Sequence, residues 1–299
     1  MSAPILITTF RRPDFLRRLL EQIPQNSNFV YIWINGPLDE SDCVKITETV
    51  KVISDFPEIN IKQIKINDEH FASGHSIANA ISWIFESETK AIILEDDIIP
   101  TQEFFTCTER ALIEYEFNTK IGSILGSSSV PSRYITDKSF LYRGSEFVSS
   151  WGWATWATKW DKFDFDLEGW DHYEKVLPSS INTYFGKRKW RMIFNALENG
   201  ESDAWDYKWQ FACWRNGYVS LAPNFNLVAN IGFTSEATHT TIAPYWFTER
   251  TKAVSKDLNF VPHPLSVDIR ADKWISKHVH PIGRIYWIKY HIKNLLKIW

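Results

Sequence analysis

Residues 91–100, AIILEDDIIP, constrain this chain more than any other stretch. Four apolar residues, Ala91, Ile92, Ile93 and Leu94, run directly into Glu95, Asp96 and Asp97. A short β-branched run without polar alternation predicts a strand buried on both faces, central in a parallel or mixed sheet. Three carboxylates cannot share that core, because a buried ion is costly unless it is paired or bound to a metal. They must emerge at the strand's carboxyl end, where open α/β sheets place their ligand crevice. Close-packed carboxylates favour a hard divalent cation, Mg2+ or Mn2+, and so a site where metal meets diphosphate. The triplet also reads as a plain solvated turn, and its surroundings must decide.

The remainder of the chain narrows the class. At 299 residues it can form one large α/β domain or two small ones. A hydrophobic content of 44% excludes a disordered chain. A net charge of -3 and a pI near 6.3 lack the basic footprint of a nucleic-acid binder, so no nucleic-acid partner is expected. Cys43, Cys107 and Cys213 are odd in number and far apart, which fits a reducing cytosol better than a disulfide framework or a zinc site. The opening PILITTF is too short for the apolar region of a signal peptide and precedes Arg11 and Arg12. No run of about 18 apolar residues occurs, so a cytoplasmic protein without a spanning segment is expected. The 15 tryptophans cluster at 151–170, 190–214 and 274–299, predicting stacking surfaces or interfacial anchors as well as core.

Residues 4–9 predict a first strand, and Pro13 opens a helix carrying Phe15, Leu16, Leu19, Leu20 and Ile23 at helical spacing. Thr8, Thr9 and Arg11 fall in the donor-rich turn between them, suited to a nucleotide's base, ribose or phosphates, although arginines there also serve solubility. A second strand over 29–34 ends at Asn35; a helix over 41–54 and a third strand over 61–66 follow. The next helix carries Ile77, Ala80, Ile81 and Ile84 on one face. His75 stands at its loop junction, as a nucleotide contact or a structural histidine. Strands and helices thus alternate through the acidic strand, the pattern of a doubly wound nucleotide-binding sheet. Neither G-x-G-x-x-G nor G-x-x-x-x-G-K-[ST] occurs, which argues against dinucleotide oxidoreductases and P-loop proteins.

The second half predicts a helix over 103–117, a strand over 121–125 and another from Phe140. Trp151, Gly152 and Trp153 lie among serines and threonines, as a shelf for the apolar face of an acceptor sugar or as packed core. Residues 160–171 predict an acidic, aromatic loop over the cleft. From Trp205 on, Trp209, Ala212 and Cys213 share a helix face, with Ser202 or Asp203 as N-cap. Asp206 then lies in the first turn, where the helix dipole keeps a carboxylate ionised and a general base is rigidly aimed; it also fits as an ordinary first-turn acid. His239, in the polar loop 233–241, is an imidazole able to complete a carboxylate metal site. In residues 283–299, Ile285, Ile288, Ile292, Leu295 and Trp299 share one helical face, with Lys289, Lys293 and Lys297 on another. That predicts a basic amphipathic helix, either in peripheral contact with the inner face of a membrane or docked on the domain.

With PILITTFRRPDFLRRLL, ILEDD, GWATW and AWDYKW in hand, the chain resembles the GT-A glycosyltransferases over residues 4–241. Within them it is similar to bacterial relatives of the N-acetylglucosaminyltransferase that starts complex N-glycans. The resemblance implies a Rossmann-like, mixed, mostly parallel sheet flanked by helices, with an acceptor-binding second half. It divides the chain into a nucleotide-sugar half (1–126), an acceptor half of the same domain (127–245), an extension (246–282) and the terminal helix (283–299). It implies Asp97 as ligand of Mn2+ or Mg2+, Glu95 and Asp96 beside ribose, sugar or metal-bound water, and Trp205 near the acceptor. Asp206 becomes the base of an inverting transfer from a nucleotide-diphosphate sugar, UDP-linked for preference, to a hydroxyl of a glycan or lipid-linked glycan. Where the relatives carry two adjacent acids, Asp206 is followed by Tyr207, which keeps Asp203 as second choice. A sugar-nucleotide nucleotidyltransferase and a non-catalytic carbohydrate-binding protein are the competing readings.

Overall fold

The computed structural model describes residues 3–25, 29–181, 183–233, 243–244 and 258–279. His239 and the helix predicted over 283–299 lie outside the described residues.

Each early element forms where its sequence demands. Strand β1 (Ile5–Thr9) is buried along its whole length, and Pro13 heads α1 (Pro13–Leu20), where its missing N–H costs nothing. Strand β2 (Val30–Ile34) is equally buried, and Asp39 caps α2 (Glu40–Ser54) by accepting from Asp42 N at 3.0 Å. Strand β3 (Ile61–Ile66) carries Lys62, Gln63 and Lys65 and is mostly exposed, as suits a sheet edge. Helix α3 (Ser73–Ile84) turns Ile77, Ala80, Ile81 and Ile84 into the core. Strand β4 (Lys90–Glu95) buries Ala91 through Leu94 completely, as its unbroken apolar run requires.

The acidic turn then doubles the chain back into β5 (Ile98–Pro100), a short strand the sequence does not announce. Thr101 caps α4 (Gln102–Glu114), which stops short of the predicted Phe117, and β6 (Ile121–Leu125) follows. The second half adds β7 (Tyr142–Ser145), β8 (Trp153–Trp156), the single-turn α5 (Ala157–Trp160), α6 (Tyr184–Glu198), α7 (Trp205–Arg215), β9 (Val219–Pro223), β10 (Val228–Asn230) and α8 (Ile269–His278). The N-cap position of α7 is Ala204, without a side-chain cap, in place of the predicted Ser202 or Asp203. Asp206 does fall in its first turn.

The main sheet runs β3-β2-β1-β4-β8-β6-β9-β7. All its strands are mutually parallel except β8 and β7, which run against their neighbours. The expected mixed, mostly parallel sheet flanked by helices is therefore present. Because β8, from the second half, lies between β4 and β6, both halves share one sheet. Strand order reverses between β1 and β4: the chain builds outward through β2 and β3, then returns to β4 on the other side. Such a switch point leaves a crevice at the carboxyl ends, since the flanking connections diverge there. Glu95, at the end of β4, and Asp97, in the turn after it, open into that crevice.

Candidate functional site

At the switch point the turn after β1 faces the turn after β4. Asp96 is fully buried. It accepts a 2.7 Å hydrogen bond from Thr9 Oγ1 and an ion pair from Arg12, while its own N–H donates to Thr8 O. Arg12 Nη1 also lies 3.1 Å from Asp97 Oδ2, so one guanidinium bridges a sealed carboxylate and one that opens to the cleft. Burial works against the charge on Arg12, but Asp96, Asp97 and Glu95 raise its pKa on balance. Burial raises Asp96 to about 6 against the pull of Arg12 and Thr9. Burial, then Asp97, raises Glu95 well above the ordinary carboxyl range, and Asp206 adds to the effect. Asp206 is therefore close enough across the cleft for its charge to be felt by Glu95.

The late strand β10 completes this corner. It pairs antiparallel with β5, so that Ile231 N donates to Asp97 O and Asn230 Oδ1 accepts from Gly232 N. A Cβ on Gly232 would sit 2.2 Å from Asp97 Oδ2, so the chain passes the acid at a distance only glycine permits. Glu95, Asp97, Arg12, Asn230 and Gly232 line one cavity of about 570 Å³. Trp151, Trp205, Asp206 and the serines that follow β6 and precede β8 line the same cavity.

The expected residues divide sharply. Glu95, Asp97, Asp206, Trp151 and Trp205 come together in the cavity. Arg11 is corrected to its neighbour: it leans outward to Asp42 at 2.5 Å, because with Pro13 in the first helical turn it is Arg12, the N-cap residue, that turns toward β4. Thr9 acts behind Asp96, and buried Thr8 offers its carbonyl to Asp96 rather than to the cleft. Buried Asn35 fastens the loop after β3, donating to Phe71 O and accepting from Phe71 N. His75 stacks on Phe165 at 4.0 Å on the exposed side of α3, away from the cavity lining. Asp203 Oδ2 accepts from Gly74 N at 2.9 Å, which clamps the start of α3, and Asp203 is not among the residues that line the cavity. Trp153 is corrected too: it is 1% exposed and stacked on Trp205, so β8 carries it as core and no sugar reaches it. Gly152, at φ +62, shapes the entry to β8, and its carbonyl accepts from Gly126 N.

Sequence reasoning missed Arg12, Asn230 and Gly232. The pair Pro13 and Arg12 carried a usable signal, since a helix-opening proline makes the preceding residue the one at the strand-to-helix turn. Asn230 and Gly232 gave none, because their role depends on pairing between strands more than a hundred residues apart.

Among the described residues no group of three His, Cys, Asp or Glu side chains is placed to hold a metal ion by itself. Asp97 and Glu95 nonetheless fit a Mg2+ or Mn2+ ion of the kind that takes one or two carboxylates and completes its shell with phosphate oxygens and water. Asp96, turned inward to Thr9 and Arg12, does not belong to that set.

No family model and no curated protein matches the chain. Among solved structures it is similar to the crystal structure of S. aureus TarS 1-349, at 10% identity and a TM-score of 0.44, over 76% of this chain and 60% of that one. It is also similar to HddC from Yersinia pseudotuberculosis, at 15% identity and a TM-score of 0.34, over 52% of this chain and 77% of that one. HddC has also been crystallised with GMP-PN. This chain thus spans about three fifths of the TarS structure, and at these identities neither likeness bears on activity.

Proposed function

We propose that the protein is a GT-A-type glycosyltransferase that moves a sugar from a nucleotide-diphosphate donor to a hydroxyl of a glycan or lipid-linked glycan. The observation that carries this reading is the meeting, in one cavity at the switch point, of Arg12, Glu95 and Asp97 with Asp206 on α7. A pyrophosphate needs positive charge, and Arg12 supplies it in a guanidinium already oriented by Asp96. Where a divalent cation binds, Asp97, with Glu95 beside it, would hold it. Its chemistry there is Lewis-acid neutralisation of the negative charge that grows on the departing phosphate oxygen. Asp206, held on a helix rather than a loop, takes the proton of the acceptor hydroxyl as that oxygen attacks C1 of the donor sugar. Trp151 offers an aromatic face to a sugar, while Trp205 borders the cavity from its core packing against Trp153 and Trp160. Attack by that oxygen on C1 from the face opposite the leaving diphosphate, which departs with the electron pair of the broken C1–O bond, would invert C1, as the sequence resemblance implies.

A UDP-linked donor is favoured by the sequence resemblance alone. The narrower kinship to the transferase that starts complex N-glycans likewise stays with the sequence motifs. A cytoplasmic location fits the composition, and among the described residues no helix is long and apolar enough to cross a membrane. A thermal-shift panel of nucleoside diphosphates and nucleotide-sugars, with and without Mn2+, tests the reading. One base family should raise the melting temperature, more so with the metal; a flat panel would remove the nucleotide site.

A further inference from the structure

The cavity does not end at the donor acids. It extends under the sheet's last strands to β7, where Arg143 forms part of its wall. Arg143 is 5% exposed and unusual in its partners. Nη1 donates to Pro223 O at 2.5 Å and to Asn224 Oδ1 at 3.2 Å, while Nε has no hydrogen-bond partner among the described residues. The acids whose field reaches it, Asp268 and the more proton-retaining Asp272, are engaged elsewhere. Asp272 accepts from Ser145 Oγ and Glu146 N, both at 2.7 Å; Asp268 accepts from Thr136 and caps α8. Guanidinium stays protonated at any physiological pH, so a buried arginine that hydrogen-bonds only to neutral acceptors, with acids reaching it through space alone, keeps its Nε–H unbonded for an anion. Its fork suits a carboxylate or phosphate, which accepts two N–H bonds side by side.

Position sets what such an anion belongs to. Four inter-strand steps of about 4.8 Å separate β4 from β7, roughly 19 Å in all. That is too far for the donor's own pyrophosphate, which the acids at β4 face. Between the two lie Trp151 and the serines after β6, neutral and hydrogen-bonding, as suits uncharged sugar.

We propose that the Arg143 end of the cavity is an anion-recognition subsite for a carboxylate or phosphate group carried by the acceptor, one or more sugars removed from the hydroxyl that reacts. This rests on the acceptor reading above and narrows it to acidic glycans: uronate-bearing or phosphate-bearing.

Calorimetric titration of the full chain, with no donor present, tests it. The probes are hexuronate-bearing oligosaccharides, phosphate-bearing oligosaccharides, and their carboxyl-reduced and dephosphorylated counterparts. The acidic member of a pair should bind about tenfold to a hundredfold more tightly, the span expected of charge-assisted hydrogen bonds. Whether uronate or phosphate shows the larger ratio names the source of the anion. Arg143→Gln should bring the two members of each pair level, and Arg143→Lys should retain part of the preference. Equal binding within every pair by the unaltered protein would overturn the proposal, whether or not the variants fold. So would an acidic preference that persists in a folded Arg143→Gln. Nucleoside diphosphate titrated into the same samples reports on the donor site alone, so loss of the transferase reading shows separately from loss of this one.

Discussion

Arg12 links a carboxylate that is wholly buried to one that meets the cleft, and both effects of removing it are calculable in direction. Without the guanidinium, the Asp96 carboxylate keeps, among the described residues, its hydrogen bond from Thr9, and breaking a buried pair from one side costs about 3–5 kcal/mol. Because burial already lifts Asp96 to about 6, it escapes that cost by protonating in acid. Urea unfolding of Arg12→Met should therefore show a loss of about 3–5 kcal/mol near pH 8 and a clearly smaller one near pH 5; the same loss at both would contradict the assignment. Asp206 makes a separate prediction. Asp206→Asn preserves shape and donor contacts but cannot accept a proton, so nucleotide binding should remain while transfer falls by about a hundredfold or more, the usual contribution of a general base. Unchanged turnover would move that role to another group. At this scale the sequence was half legible: acids after an apolar run had to leave the strand's core and Glu95 and Asp97 reach the cleft, but Asp96 turns back inside against Thr9 and Arg12. Which of two adjacent arginines met them depended on backbone direction at one turn. Trp153 misled because a glycine-flanked tryptophan has the same composition on a shelf and in a core strand.

Helix α8 is held to the sheet by an unusual clasp. Asp272 is fully buried against Ser145 and Glu146, and burial raises it to about 7 from an ordinary 3.8. The folded protein thus keeps a proton there that the unfolded chain releases from about pH 4 upward. The contribution of Asp272 is most favourable below that point and falls as pH rises toward 7. Asp272→Asn cannot ionise, so the stability difference between it and the parent should shift by roughly 2–3 kcal/mol in the variant's favour between about pH 5 and 7. Denaturant titrations at both pH values read it directly, and a difference independent of pH would show that the acid is not held protonated. Elements such as β1, β2, α3 and β4 were legible because each carries its own periodicity or unbroken apolar run. Strand β5 was not, since three residues hold no period and pair only with β10; β10 itself falls within residues 223–232, a stretch that reads as strand in the sequence. The missing N-cap of α7 has a related cause, because Asp203 is drawn away to the amino terminus of α3.

For the whole molecule, the order β3-β2-β1-β4 fixes a crevice between β1 and β4 before any side chain is considered. The alternation of strands and helices over the first hundred residues made that half readable. The insertion of β8 between β4 and β6 did not follow from alternation, because an antiparallel strand late in the chain can add at several places in a sheet. That insertion nonetheless carries the loop with Trp151 to the cleft, into the same cavity as Glu95 and Asp97. The proposed transfer requires a donor pyrophosphate held beside Asp97 in this crevice, and release of nucleoside diphosphate from a panel of nucleotide-sugars measures it most directly. A charge pair about 4 Å apart at an effective dielectric near 20 is worth roughly 4 kcal/mol, or about a thousandfold in rate. The parent protein should release diphosphate from at least one donor, faster with Mn2+ or Mg2+, and Asp97→Asn should lower that rate by about a thousandfold. No release from any donor, or undiminished metal-stimulated release from Asp97→Asn, would contradict it.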